Sequence, residues 1–274
     1  MRPHFLKTKF FRLLLFGLIR TYARCGKKVN RSSASFLACD SGESCYPVGM
    51  NKDQRIRTLG LIHSAPFTAV TVQPFVSELL PEVQVLHLAD DSIQRAAETG
   101  TVSNAYYFKF TTYAHFLAQA GADLIMLTCS TFSRAVELAA PMIDTPLLQI
   151  DRPMMDFAVK TGTRVGLLAT LECTVPSSER LLKLAAKEAG KEIEIQTAVC
   201  SDAFPELRRG NLEKHNELLL AEIENLSSSV DCICMAQVSM SVLEPRLVKS
   251  RVPVFNSART GFTRAREILK SMTV

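Results

Sequence analysis

This 274-residue chain lacks the glycine pattern that cradles a nucleotide. No Gly-x-Gly-x-x-Gly follows its first apolar run, where His63-Ser64-Ala65-Pro66 stands instead, and no phosphate-loop lysine motif appears. The nucleotide-dependent classes therefore lose their usual sequence basis. No set of histidines, aspartates and glutamates with ligand spacing converges on one loop, so no metal is expected. The apolar run of seven after Arg12 is far too short to span a bilayer, and no membrane partner is expected. Acidic residues are missing from positions 1–39, which hold nine Lys/Arg. The remaining 235 residues carry 23 basic and 27 acidic side chains, a net of −4, which offers no surface for nucleic acid. Eight cysteines are present without the spacing of a disulfide scaffold. Cys232 and Cys234 share one face of a strand, and no second pair with nearby histidines completes a zinc set, so they read as core thiols of a reducing compartment.

At 47% apolar content the chain can bury a substantial core. Residues 1–55, basic at the start and Ser-rich near Arg31 to Ser35, read as a basic, disordered leader outside the fold. The chain is accordingly expected in the cytoplasm, or in an organelle if that leader is a transit peptide. From Thr58 onward short apolar runs alternate with helical patterns, the signature of parallel βαβ units. The expected strands are Leu59 to His63, Val83 to Leu88, Leu124 to Thr128 and Pro146 to Ile150, then Val165 to Ala169, Ile193 to Ala198, Cys232 to Met235 and Val252 to Phe255. Seven helices are expected, among them Thr131 to Met142, Met240 to Lys249 and Ser257 to Lys270. The fold class is α/β: two pseudo-symmetric Rossmann-like domains, each a largely parallel four-stranded sheet flanked by helices. The first spans 56–150, with 256–274 packing back on it, and the second spans 151–255.

The halves match in sequence. Ala-Asp-Leu-Ile-Met-Leu-Thr-Cys129-Ser-Thr-Phe recurs 108 residues later as Val-Asp-Cys-Ile-Cys-Met-Ala-Gln237-Val-Ser-Met, pairing Asp123 with Asp231 and Thr131 with Ser239. Open parallel sheets bind ligands at the carboxyl ends of their strands, where helix N-termini offer unpaired amides. Those ends hold Ser64, Asp90, Asp91, Cys129-Ser130-Thr131, Asp151, Thr170 to Thr174 and Gln237-Val238-Ser239, which are small, polar and seldom basic. A small carboxylate suits them better than a polyphosphate. A thiol at the start of a helix is expected to have a lowered pKa and to act as base or nucleophile. The plainer reading of Cys129 is a small residue that packs at a turn.

Asp-Leu-Ile-Met-Leu-Thr-Cys129-Ser-Thr, Val-Gly-Leu-Leu-Ala-Thr170-Leu-Glu-Cys-Thr174 and Met-Ala-Gln237-Val-Ser-Met together resemble the aspartate/glutamate/hydantoin racemase superfamily over about residues 57 to 272. The resemblance implies a cofactor-independent enzyme whose two domains close on a carboxylate, each supplying one catalytic cysteine. Cys129 matches the first cysteine, and Gln237 occupies the place of the second. Substrate-binding hydroxyls and amides would fall on Ser64, Ser130, Thr131, Thr170, Thr174 and Ser239. Homodimers are common in similar folds.

An amide neither gives nor takes a proton near neutral pH, so Gln237 breaks the two-thiol scheme. Three readings stay open: an amino-acid racemase-like isomerase working on Cys129, a one-base decarboxylase or lyase, and a non-catalytic carboxylate-binding protein. Candidates for a substitute proton donor are His63, Cys173 and, more remotely, Asp90, Asp91 and His215. Each has an ordinary structural reading beside the catalytic one, as do Arg152 and Arg164, the basic residues nearest the strand ends.

Overall fold

The computed structural model describes residues 56–272. The leader expectation, with Cys25, Cys39 and Cys45, lies outside the described residues. In the first half β1 (Thr58–His63) leads to α1 (Pro66–Leu79), β2 (Gln84–Ala89), α2 (Asp91–Glu98), α3 (Asn104–Gln119), β3 (Leu124–Leu127), α4 (Arg134–Ala139) and β4 (Leu147–Gln149). The chain continues through α5 (Arg152–Thr161), β5 (Arg164–Ala169), α6 (Val175–Glu188), β6 (Glu194–Val199), α7 (Ala203–Arg208), α8 (Leu212–Leu226), β7 (Cys232–Met235), β8 (Val254–Asn256) and α9 (Ser257–Ser271).

Two four-stranded sheets result, ordered β2-β1-β3-β4 and β6-β5-β7-β8, and every pairing in them is parallel. The central strands β1, β3 and β7 are buried along their whole length, as expected of strands covered by helices on both faces. Their registers correspond, with Leu59 opposite Leu124 in one sheet and Val165 opposite Cys232 in the other. The paired aspartates explain how that register is held. Asp123, just before β3, accepts the Thr58 N–H at 2.8 Å, and Asp231, just before β7, accepts the Arg164 N–H at 2.9 Å. Each carboxylate ties the start of one central strand to its neighbour.

Apolar clusters cover both faces of each sheet. Val72, Phe75 and Val76 of α1 and Ala258, Phe262, Ala265 and Leu269 of α9 bury Leu59, Leu61, Leu124 and Met126, so the last helix packs on the first sheet. Phe110, Ala114 and Leu117 of α3 cover the opposite face. Met154, Met155, Ala158 and Val159 of α5, with Leu181, Leu182 and Ala185 of α6, cover the second sheet, and Leu219, Ile223 and Leu226 of α8 lie on its other side. Fully burying one such leucine or phenylalanine contributes about 1.5–3 kcal/mol.

Several elements depart from expectation. The helix expected over Thr131 to Met142 is divided into a 3-10 turn at Ser130–Phe132, the six-residue α4 and a second 3-10 turn at Ala140–Met142 that carries Pro141. The segment expected to be helical from Met240 is a 3-10 helix over Val238–Lys249 with Pro245 inside it. Helices α2, α5 and α7 were not expected. In α5 Pro153 sits in the first turn, where its missing N–H costs nothing. Among the described residues no helix is long and apolar enough to cross a membrane.

Candidate active site

The carboxyl ends of both sheets meet at one cleft. Ser64 follows β1, Cys129 follows β3 after Thr128, and Gln237 follows β7 after Ala236. Cys129 and Gln237 occupy the same local position in their halves, each in extended conformation immediately before a 3-10 helix. Both line the cleft, together with Ser64, Ser130 and Thr131 from the first half and Thr174 and Ser239 from the second. The sequence-derived set is thus brought together with one exception, since Thr170 lies behind Gln237 and faces a neighbouring cavity.

Gln237 is 8% exposed. Its Oε1 accepts the Thr170 N–H at 2.6 Å and the Thr170 hydroxyl at 3.0 Å. A backbone N–H can only be met by the amide oxygen, so the side chain's orientation is set and its Nε2 donors form the end left for a ligand. Thr170, 1% exposed, positions that amide.

Cys129 is buried at 7% exposure, and burial pushes its thiol up to about 11. The Ser64 hydroxyl and the Phe132 N–H oppose the shift without overcoming it, and the nearby Asp151 carboxyl adds to it. The expected lowering by a helix terminus is therefore overturned. The element after Cys129 is a three-residue 3-10 turn, which cannot supply the aligned dipole of a long helix. At neutral pH Cys129 is a thiol.

Beneath it lies Asp151, 2% exposed, whose Oδ1 accepts the Ser130 hydroxyl at 3.0 Å. Burial raises this carboxyl to about 7, against the hydrogen bond from Ser130. The Ser130 hydroxyl is thereby turned toward the interior. Across the cleft the Thr131 and Thr174 hydroxyls hydrogen-bond each other at 3.0 Å, joining the halves.

The chamber beside Cys129 measures ≈ 40 Å³. A benzene-sized guest takes a cavity of about 150 Å³, so the halves are closed over the site. Phe67 and Phe204 form the seam, one from each half, with ring centroids 6.5 Å apart. Beyond it open two outer cavities of ≈ 610 and ≈ 370 Å³, both bordered by Glu98 and Arg208. Sequence reasoning missed Phe67, Gln94 and Phe204, because none has a chemical signature and α2 and α7, which carry Gln94 and Phe204 respectively, were not recognised.

The remaining candidates separate clearly. Cys173 borders the larger outer cavity, and burial raises its thiol too. Asp90 caps α2 by accepting the Ser92 N–H at 2.9 Å and also accepts from Lys109 and Tyr113. Burial opposes those bonds, yet they hold its carboxyl at about 2. Asp91 pairs with Arg95 on the surface. His215 is fully buried, away from the cleft, against Asn216. Arg152 pairs with Asp156 and Glu188, and Arg164 with Asp231. Among the described residues no group of three His, Cys, Asp or Glu side chains is placed to hold a metal ion.

A family model described as Asp/Glu/hydantoin racemase matches residues 71–265. A glutamate racemase of Trichodesmium erythraeum is 22% identical over 209 residues, covering 74% of each chain. Among solved structures, a glutamate racemase from Thermus thermophilus superposes with a TM-score of 0.60 at 18% identity, covering 78% of this chain and 81% of that one. An allantoin racemase from Klebsiella pneumoniae gives 0.57 at 16% identity, covering 79% and 88%. These structural likenesses carry the fold.

Proposed function

The chain belongs to the Asp/Glu/hydantoin racemase family, and from that premise we propose that it is a cofactor-independent isomerase acting at the carbon alpha to a carboxylate, with Cys129 as its single proton-transferring thiol. One observation carries the reading: Gln237 stands where the second half repeats the position of Cys129, with its oxygen engaged by Thr170 and its donors left to the cleft. The matched strands and aspartates are the remains of an internal duplication. Among the positions at which the two copies differ, this one sets a thiol against an amide.

In this scheme the substrate carboxylate is held by neutral donors, from Ser64, Thr131, Thr174 and Ser239. Removing the alpha proton places negative charge on a carboxylate oxygen. The Gln237 amide, 8% exposed, donates to that charge from a narrow, largely buried site, where such a hydrogen bond has a larger effect than in water. The Cys129 thiol first loses its proton to solvent, then takes the alpha proton as thiolate and returns one as thiol, so that the sulfur ends as it began. The position that repeats Cys129 in the second half holds an amide in place of a thiol, so proton exchange with solvent is more frequent than inversion.

A second reading has its own support. A thiol raised to about 11 is already protonated at neutral pH, which suits it to protonate a carbanion left by decarboxylation. Both readings use the same sulfur and the same amide.

The test is deuterium exchange in D2O with amino acids, hydantoins, malonate derivatives and maleate-like diacids, read by mass spectrometry. The intact protein is expected to label at least one class at the alpha carbon, and Cys129→Ala to abolish that labelling. If an acid binds the intact protein and no candidate is labelled, the chain is a carboxylate-binding protein instead.

A further inference from the structure

A hydrogen-bonded chain of three side chains leads from the protein surface to the wall of this cleft. His87, on edge strand β2, is exposed. Its Nδ1 lies 2.9 Å from Nε2 of His63, which ends β1 and is 0% exposed. The ring centroids are 5.2 Å apart and the rings within 18° of parallel. Nδ1 of His63 lies 2.8 Å from Oγ1 of Thr128, whose hydroxyl donates to the Ile62 carbonyl oxygen at 3.2 Å. Thr128 is 2% exposed and lines the cleft next to Cys129.

We propose that His87, His63 and Thr128 form a proton relay between solvent and the closed cleft. The proposal rests on the proton chemistry assigned to Cys129. With Phe67 and Phe204 shut over the site and an amide in the second cysteine's place, the cleft needs a supply of protons that does not pass through its mouth.

The transfer balances. In the outward state each imidazole is protonated on Nδ1, so His87 donates to His63 and His63 donates to Thr128. A solvent proton adds to Nε2 of His87, the proton on its Nδ1 moves to Nε2 of His63, and that on Nδ1 of His63 moves to Oγ1 of Thr128. The original Thr128 hydroxyl proton, turned from the Ile62 carbonyl toward the cleft, passes to the group there that has lost one. Both rings end protonated on Nε2, Thr128 remains a neutral alcohol, and one positive charge has moved inward. Burial and the neighbouring His87 hold His63 down at about 4, which keeps it neutral and makes tautomer exchange, rather than an imidazolium, the carrier.

Two measurements on the full chain decide it. In the first, 15N NMR of histidine-labelled protein compares the intact chain with Thr128→Val, which removes the hydroxyl at nearly constant shape. In a coupled relay the substitution shifts the tautomer ratios of His63 and His87 together; a shift confined to His63, or none, overturns the proposal. This arm requires no substrate, so it stands even if Cys129 exchanges nothing. In the second, alpha-deuterium exchange is expected to fall about tenfold in both Thr128→Val and His87→Ala, with added imidazole restoring His87→Ala, whose cavity opens to solvent. Undiminished exchange in a folded His87→Ala protein contradicts a relay and leaves the Cys129 reading intact, whereas loss without imidazole rescue assigns His87 a structural role.

Discussion

At the scale of single residues, burial outweighs local sequence chemistry. Cys129 looked acidic from its place before a helix, and the fold makes it a weaker acid than a free thiol, because desolvation exceeds what Ser64 and one backbone N–H return. Asp151 follows the same rule. Its folded pKa of about 7 lies above the ordinary value near 3.8, so its contribution to stability is complete below about pH 4 and is lost as pH rises through 7. Asp151→Asn keeps an oxygen for Ser130 and removes the charge. The variant is expected to show none of this loss and to exceed the parent at pH 8 by on the order of 4 kcal/mol, read from urea unfolding at a series of pH values. Gln237→Cys restores a thiol to the second half and leaves the Thr170 N–H without its acceptor, a cost of about 1–3 kcal/mol. Chiral chromatography after exchange in D2O should find the label in both enantiomers of the substrate with this variant. The small polar residues at the strand ends were legible because parallel strands put ligands there. The roles of Asp151 and Thr170 were not, since both depend on partners brought close only by folding.

At the scale of elements, long buried strands were legible and short helices were not. An unbroken apolar run such as β3 or β7 has few alternatives, whereas α2 and α7 span eight and six residues, too short for a helical period to declare itself. Helix α5 opens with Pro153 in its first turn and spans only ten residues between two strands, so it too gives a weak helical period. The C-terminal helix α9 shows how one element reaches the site. A Cβ added at Gly261 would lie 2.7 Å from Ile150 Cγ1 and 2.8 Å from the Ile150 carbonyl oxygen, and the backbone partner cannot turn aside. Ile150 directly precedes Asp151. Gly261→Ala is therefore expected to destabilise the fold by about 1–3 kcal/mol, seen as a lower urea midpoint at unchanged slope, and to slow alpha-proton exchange by moving Asp151.

At the scale of the whole molecule, two sheets of identical strand order face one cleft and are fastened across it. Thr131 meets Thr174, Ser133 meets Ser177 at 3.0 Å, Glu137 meets Arg180, and Phe67 meets Phe204. Hydroxyl pairs and an exposed ion pair are weak fastenings, which suits halves that must part to admit a substrate larger than a ≈ 40 Å³ chamber. The duplicated order of strands was visible in sequence because each half repeats the same apolar runs. The closure was not, because Phe67 and Phe204 are 137 positions apart and meet only across the assembled cleft. The central claim is that one thiol transfers the proton while an amide from the other half holds the charge. The direct measurement is the stereochemistry of early deuterium incorporation from D2O, comparing the intact chain with Cys129→Ala. Label entering the unconverted enantiomer faster than the inverted one, and absent from Cys129→Ala, is the expected result. Equal labelling of both enantiomers from the first turnover, or labelling that survives Cys129→Ala, contradicts it.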